Sequence, residues 1–445
     1  MRCLLTEVYR PGATAPGLRW GVGEERALVD AEDASAIGAR ARKIRRRRGL
    51  SLDVVAGLAG ISKSYLGMLE HGQRGFNRRG LLEDLAAALG CSVADLTGQP
   101  YLPPDRTTAD AMATVPGIEL AIHDCTLADV PDIPARPLAE LVKLARLANT
   151  YCDETRYGLA GQDVSAVLSE LHVHAATGDS DTKRVALAAL VETCIAASGM
   201  VRALGHGALA TAVARRGYDA AEQLGDPGLS GFASMQRASA LIRLGARHRA
   251  AAVLGDALAA VESSADPTAA DNRPAQAAGM LHLASAQLSS REGRSGDADA
   301  HLTQAAELAD ATGECNDLNY HFGSANVAAW SVSIGVELER GPNAAERVTA
   351  DVPQLVAALA SADRRSGLHL DIARGWAQAG GDRDAEAIRC LDAADRIAPA
   401  RTRNDPIARD LVLTLDRRAR RRVWELDSLR NRFGVGGRGP RSVEN

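Results

Sequence analysis

The chain has 445 residues, a formal net charge of −4, 46% hydrophobic residues and only 3% aromatic residues. This length predicts two or more domains, and the hydrophobic content excludes wholesale disorder. Alanine and leucine dominate the apolar set, which favours helices over sheets.

Several classes of function find no support in the sequence. It contains no GxxxxGK[ST], HExxH or GxSxG motif and no GxGxxG that follows a strand, so we expect no enzyme and no cofactor. Its seven cysteines form no CxxC pair, which argues against a zinc ribbon or a disulfide framework. His172 and His174 point to different sides of a helix, so we expect no metal site. With no apolar run of spanning length and no signal-peptide core, a cytoplasmic protein without membrane contact is expected.

Residues 1–33 are rich in glycine and proline and show little hydrophobic periodicity. They predict a flexible N-terminal arm, and a disordered end is the interpretation that we prefer. Such arms sometimes enter the minor groove of DNA. Whether this stretch is a genuine part of the native chain is left open, because an upstream extension would have the same composition.

Positive charge is concentrated just after this arm. Residues 40–48 contain six arginines and one lysine. From Ser35 to Pro100 there are 11 Arg/Lys against 5 Asp/Glu, a surplus of +6, so the remainder carries 41 against 51, or −10. A small basic module joined to a large acidic one is typical of a nucleic-acid-binding protein with a separate second task.

Five short helices are predicted within residues 34–98. The first contains Ile37, Ala41 and Ile44 on its buried face and ends at Gly49. The second begins after Ser51, a favourable N-cap residue. The apolar residues of this second helix are Val54, Val55, Leu58 and Ala59. The fourth is predicted across Leu81, Leu82, Leu85, Ala86 and Leu89, and CSVADL supplies the fifth.

The third predicted helix, SKSYLGMLE, follows a turn at Gly60 and is capped by Ser62. Glycine tolerates the positive φ that a tight turn between crossed helices requires. Helical periodicity divides this helix into two faces. Its inward residues are Tyr65, Leu66 and Leu69, and its outward residues are Lys63, Ser64, Gly67 and Met68.

This region resembles the phage-repressor (Cro/repressor-like, Xre) helix-turn-helix family. The resemblance lies in the stretch GLSLDVVAGLAGISKSYLGMLEHGQRG…LLEDLAAALGCSVADL. The resemblance implies that the third helix enters the major groove and reads base edges from its N-terminal residues. Carried over by position, the candidate base-contacting residues are Ser62, Lys63, Ser64, Gly67 and Met68. The candidate phosphate-contacting residues are Arg45, Arg46, Arg74, Arg78 and Arg79.

Two departures from the family pattern affect this interpretation. Leu52 stands where many relatives have a glutamine that reaches a phosphate. Gly67 offers no side chain, so direct readout is expected to be sparse. DNA shape, or contact between Met68 and a thymine methyl group, would then carry more of the specificity.

Residues 99–137 contain two proline-rich breaks and are predicted as a linker, with a short helix and a hinge as the alternative. From 138 to 433 the pattern is almost continuously helical, and 434–445 is predicted as a disordered tail. Similar segments begin at Gly245, Gly293 and Gly381, and a degenerate unit around Gly341 would fit between the last two. These divergent repeats resemble tetratricopeptide (TPR) repeats, in which stacking of helix pairs builds the core.

The RRARRR run near the C-terminus has two interpretations, a second phosphate contact or, as we prefer, a solvated capping helix. A DNA-binding module followed by a repeat body also resembles the peptide-responsive quorum regulators. That resemblance implies an effector on the concave face of the repeats. The candidate effector residues are Asn319, Asn326, Arg237, Arg243 and Trp376.

The sequence therefore predicts an all-α protein, with a five-helix Cro/repressor-like domain followed by a TPR-like superhelix. Its predicted function is sequence-specific transcription regulation at a double-stranded DNA operator. We expect a homodimer, associated with the nucleoid, that senses a peptide or small-molecule effector. The alternative is an interaction scaffold that its first domain anchors to DNA.

Overall fold

The computed structural model describes residues 36–435, and apart from an isolated bridge between Cys315 and Phe322 this range contains no β-structure. The predicted arm at 1–33 lies outside it, as does the predicted tail from residue 436 onward. We call residues 36–98 the head and residues 106–435 the body. The head helices are α1 Ile37–Arg47, α2 Leu52–Leu58, α3 Lys63–Glu70, α4 Arg79–Leu89 and α5 Val93–Thr97.

The body begins with two short helices, and the helices that follow have between 5 and 24 residues. They are α6 Arg106–Met112, α7 Val115–Asp124, α8 Leu138–Asp153, α9 Tyr157–Thr177, α10 Ser180–Ala203, α11 Gly207–Leu224, α12 Pro227–Arg243, α13 Arg247–Glu262, α14 Arg273–Arg291, α15 Ser295–Thr312, α16 Ser324–Glu337, α17 Gly341–Thr349, α18 Val352–Ala358, α19 Ala362–Ala379, α20 Asp384–Ile397, α21 Pro399–Arg403, α22 Pro406–Arg418 and α23 Trp424–Phe433. A short 3-10 helix, Gly381–Arg383, precedes α20.

The head follows its local sequence signals closely. Ser51 accepts a hydrogen bond from the backbone N–H of Val54 at 3.2 Å, and Ser62 accepts one from Tyr65 at 3.1 Å. Gly60 adopts a φ of +66° in the turn between α2 and α3. Both predicted caps and the predicted turn are therefore confirmed, and they set the angle at which the two helices cross.

The apolar face of α2 differs in part from the expectation. Val55 and Ala59 are buried, whereas Val54 is 49% exposed and Leu58 is 66% exposed. Residues four positions apart lie on the same face of a helix. The face with Val55 and Ala59 therefore turns inward, and the face with Val54 and Leu58 turns outward.

The segment predicted as a linker contains α6 and α7, in agreement with the alternative of a short helix. Ala111, Val115 and Ile118 are buried in the same apolar cluster as the side chains of α9. Gly161 of α9 lies so close to this segment that a Cβ atom there would be 2.2 Å from Oγ1 of Thr114. These contacts attach the first two body helices firmly to the third and fourth.

The body continues as helix pairs in a repeat-like arrangement. In six of these pairs, the turn between the two helices contains one residue with a left-handed φ. The pairs are α8–α9, α10–α11, α12–α13, α14–α15, α16–α17 and α19–α20. In the same order, the residues are Thr155, Gly205, Gly245, Gly293, Glu339 and Gly380. Gly245 and Gly293 were predicted to begin repeat units, while in the last pair Gly380, and not Gly381, takes the left-handed conformation. The pair α16–α17 occupies the place of the predicted degenerate unit, and the likeness to TPR repeats stays a prediction.

One helix, α10, is long and apolar enough to cross a membrane by length and composition alone, but 72% of its apolar window is buried within the protein. Its fully buried residues include Leu190, Cys194 and Met200. The same pattern is expected of a central core helix, which packs on all sides against other helices.

The head is attached to the body through buried carboxylates. Glu337, at the end of α16, accepts hydrogen bonds from the backbone N–H groups of Arg79 and Gly80 at 2.9 and 3.1 Å. It also forms an ion pair with the fully buried Arg374. The side chain of Glu337 thus caps the N-terminus of α4, where backbone donors and the helix dipole favour a negative charge.

Further contacts extend this junction along the head. Asp410 of α22 accepts a hydrogen bond from the N–H of Phe76 at 2.7 Å, and Arg374 donates to the carbonyl of Asn77 at 2.9 Å. Ile407 of α22 belongs to the apolar core of the head and is fully buried there. The head is therefore packed into the body and not tethered by a free linker.

Glu337→Gln is expected to destabilise the protein by about 3–5 kcal/mol, because it leaves the buried Arg374 without its full counter-charge. Burial raises the pKa of Glu337, but Arg374, Arg291 and the two backbone N–H groups outweigh burial and lower that pKa to about 2. The stabilisation is accordingly complete above the unfolded-state pKa of 4.5 and is lost as the pH falls toward 2.

The measurement is urea unfolding at pH 7 and at pH 3 of the full chain. Glu346→Gln is the control, because the Glu346 side chain is 70% exposed and should change stability little. Equal unfolding midpoints for wild type and Glu337→Gln at pH 7 would contradict this role.

Candidate nucleic-acid interface

Helix α3 is held against α1 by close backbone packing. A Cβ atom on Gly38 of α1 would lie 2.0 Å from the carbonyl oxygen of Leu69, so only glycine fits at this crossing. Leu66 and Leu69 are buried beneath the helix. This packing fixes which face of α3 turns away from the head.

The outward face of α3 carries the residues that the sequence predicted to contact bases. Ser62, Lys63 and Ser64 are exposed, while Gly67 and Met68 are partly buried. Lys63 Nζ lies 2.8 Å from Oδ2 of Asp53, in an ion pair whose side chains are 60% and 65% exposed. An exposed pair of this kind contributes little stability, so Lys63 can exchange Asp53 for another acceptor at small cost.

Arg46 and Arg74 are exposed, as a phosphate contact requires. Arg46 lies in the last turn of α1 next to Arg47, which is also exposed. Arg74 follows α3 and, together with Tyr65, lines a groove of about 520 Å³ between the head and the body.

Arg45 lies elsewhere than the sequence predicted. It is only 8% exposed and forms a two-pronged ion pair with Glu70, at 2.6 Å from Nε to Oε1 and 2.8 Å from Nη2 to Oε2. Its Nη1 donates to the carbonyl of Leu50 at 2.9 Å. Because each nitrogen of the guanidinium group has a partner within the protein, Arg45 joins α1 to α3 and is not available to a phosphate.

Arg79 also differs from the expectation. Its Nη2 lies 2.6 Å from Oδ2 of Asp405 at the junction of head and body, where its side chain is 18% exposed. Burial raises the pKa of Asp405, but Arg79 outweighs burial and lowers that pKa to about 2. Arg78 is 25% exposed and pairs with the exposed Glu339 at 2.9 Å, so it remains partly accessible.

The first two arginines of the RRARRR run in the body, Arg417 and Arg418, lie beside α3 and the turn that follows it. A Cβ atom on Gly72, just after α3, would be 2.4 Å from Nη1 of Arg417. Arg418 lines the same groove as Ser62 and Tyr65, and Arg420 and Arg421 are exposed nearby in sequence. No local signal could have revealed this arrangement, because it arises from the docking of the head onto α22.

The five candidate effector residues do not converge on one site. Asn326 is fully buried and donates to the carbonyl of Tyr320 at 3.2 Å, with its Oδ1 unpartnered. Arg237 is buried and lies over the ring of Tyr218 at 4.3 Å. Trp376 is buried in a separate apolar cluster of the body.

The two other candidates do line cavities. Asn319, with a φ of +55°, lines a small cavity of the body. Arg243 lines two cavities that extend to the head.

Comparison with protein families matches residues 36–97 to the family model of a helix-turn-helix domain. These residues form a helix-turn-helix domain. The match ends at α5, so it says nothing of the body. None of the curated proteins compared with the chain matches it.

Among solved structures, one described as a "putative transcriptional regulator" from Listeria monocytogenes EGD-e is 15% identical. The alignment covers 68% of this chain and 98% of the other, with a TM-score of 0.25. A similarity at this level carries no argument about fold or function.

The contrast between Arg45 and Arg46 can be tested directly. Arg45→Ala leaves Glu70 buried without a counter-charge and should destabilise the chain by about 3–5 kcal/mol. Arg46→Ala removes an exposed charge, so its effect should stay within about 0.5 kcal/mol. Thermal and urea unfolding of the two variants measure the difference, and similar losses in both would contradict the separate assignments.

Proposed function

We propose that the protein is a sequence-specific DNA-binding transcription regulator. The observation that carries this proposal is the helix-turn-helix domain at residues 36–97, whose recognition helix α3 presents an exposed N-terminal face. In such domains the second helix of the motif lies in the major groove and contacts base edges there. The protein is accordingly expected to act in the cytoplasm, at the nucleoid.

Base contacts are assigned to the start of α3. Lys63 suits the guanine acceptors O6 and N7, and Ser64 suits either base type. Met68 suits a thymine methyl group, while Gly67 permits close approach of the helix backbone. Ser62 donates or accepts through the hydroxyl that already caps α3. With so few long side chains, part of the specificity falls to DNA shape.

Phosphate contacts are assigned to Arg46 and Arg74, with Arg78 at the edge of the surface. The exposed Arg420 and Arg421 of the body extend this set, because Arg417 of the same run lies against the end of the recognition helix. Arg45 and Arg79 are left out, since their guanidinium groups already have buried or partly buried carboxylate partners.

Dimerisation and effector binding are assigned to the body. A single recognition helix spans too few base pairs for useful selectivity, so the regulator is proposed to bind as a homodimer at a two-fold symmetric site. The helical repeats are proposed to supply the dimer contact, to bind a peptide or small-molecule effector, or both. The alternative, a scaffold that the head anchors to DNA, differs in needing no discrete operator.

Lys63→Ala is expected to weaken binding to the preferred operator by about 1–3 kcal/mol while leaving non-specific binding nearly unchanged. Arg46→Ala should weaken both and reduce the slope of log K against log salt concentration by roughly 0.9. Gel shifts with genomic fragments, followed by salt titration on the selected site, measure these effects.

Lys143→Ala is the control, because Lys143 is an exposed lysine on α8 far from the head in sequence. Equal losses on specific and non-specific DNA for Lys63→Ala would remove Lys63 from the base contacts. Failure to select any discrete, near-palindromic fragment would favour the scaffold.

A further inference from the structure

We propose that the cavity between the head and the body is a binding site for a small anion that carries phosphoryl or carboxylate groups. The role of such an anion as an effector rests on the proposed function, whereas the presence of the binding site does not. The site itself is argued from side chains that the cavity brings together.

The cavity consists of three chambers that share lining residues, of which the smallest lies within the body and the other two extend to the head. Their volumes are about 70, 90 and 420 Å³, and the largest falls within the range of small-molecule sites. Arg202 lines all three chambers, and Arg243 lines the two that are nearest the head. The largest chamber is bounded on the head side by Leu82 and Ala86 of α4. A ligand there would touch both the head and the body.

The charge along this cavity is unbalanced. Arg79 and Arg401 are each paired, with Asp405 at 2.6 Å and Asp363 at 2.5 Å. Three further arginines line the middle chamber. Among residues 36–435 no ion pair involves these three, which are Arg202, Arg243 and Arg364.

Five arginines and two aspartates, Asp363 and Asp371, line the middle chamber. Burial raises the pKa of Asp363, but the charges of Arg401, Arg202 and Arg364 outweigh burial and lower it, so this one carboxylate is shared. A set of guanidinium groups that outnumbers its carboxylates is a site that an anion would stabilise.

Arg243 shows this imbalance most clearly. Its Nε is inaccessible to solvent and has no hydrogen-bond partner. Burial, and after it the charges of Arg202, Arg79 and Arg291, lower the pKa of Arg243 well below its usual value. An unpartnered buried donor on a cation is costly, so its presence beside a cavity indicates a missing acceptor.

Other polar groups around the middle chamber are available to bind an anion. Nη1 of Arg401 and Nε1 of Trp330 are also buried without partners. Arg364 lies over the ring of Tyr320 at 4.1 Å, which holds its planar guanidinium group in place. Guanidinium groups bind phosphate and carboxylate oxygens with two parallel hydrogen bonds, so the set suits both kinds of anion.

Occupancy of this site would stabilise the docked head. The anion would relieve repulsion between guanidinium groups contributed by α4, α10 and α12. Since α4 belongs to the helix-turn-helix domain, ligand concentration would then bias the position of the recognition helix relative to the body.

The experiment measures the thermal unfolding of the full chain without DNA. Sodium pyrophosphate supplies phosphoryl oxygens and trisodium citrate supplies carboxylates, each compared with sodium chloride at equal ionic strength. At saturation at least one of the two is expected to raise the wild-type Tm by about 3 °C or more. The probe that succeeds identifies the chemistry of the ligand.

Arg243→Met is the decisive variant. It removes an unpaired, partly buried charge, so its Tm without added anion should rise or stay level, while its response to the anion should disappear. Arg215→Met on α11 is the matched control, because Arg215 is 56% exposed and pairs with Asp219. The double variant Arg46→Ala, Arg74→Ala shows whether the anion binds to the DNA-facing arginines instead.

Three results overturn the proposal. They are the absence of stabilisation of the wild type by either probe, an unchanged response in Arg243→Met, and loss of the response in the double variant Arg46→Ala, Arg74→Ala. DNA binding of the same proteins is measured separately by gel shift. If the anion raises the Tm of the wild type but the wild type binds no DNA, only the proposed function is refuted. If the wild type binds DNA but its Tm does not change with the anion, only the anion site is refuted.

Discussion

The position of the DNA-binding surface depends on one buried carboxylate. Glu337 accepts hydrogen bonds from the first two N–H groups of α4 and forms an ion pair with Arg374, which in turn donates to the carbonyl of Asn77. Both members of this ion pair belong to the body. Undocking the head would leave the pair in place but would take two N–H donors from the buried carboxylate of Glu337 and a carbonyl acceptor from Arg374, which costs free energy. The recognition helix is therefore presented at a defined place on the body and not on a loose tether.

The arginines of the basic module divide into two groups according to the carboxylates around them. Arg45 and Arg79 face Glu70 and Asp405, and they hold the head together or hold it to the body. Arg46 has no such neighbour within its helix and remains exposed. Guanidinium groups serve both purposes because their planar donor array matches a carboxylate as well as a phosphate.

Sequence reasoning succeeded where the signals are local. The caps at Ser51 and Ser62 and the turn at Gly60 depend on residues within four positions, so the head could be predicted helix by helix. It failed where partners come from afar. The burial of Arg79 depends on Asp405, and the place of the RRARRR run depends on docking against Gly72. Composition alone cannot supply such contacts.

Tertiary packing also divides the candidate effector residues. Asn326 is closed within the core and Trp376 lies in a separate apolar cluster. Arg243, another of these candidates, lines the cavity where α4 meets α10 and α12. Linkage is reciprocal, so an anion that favours the docked head must bind more tightly to whichever DNA-bound state keeps that junction closed.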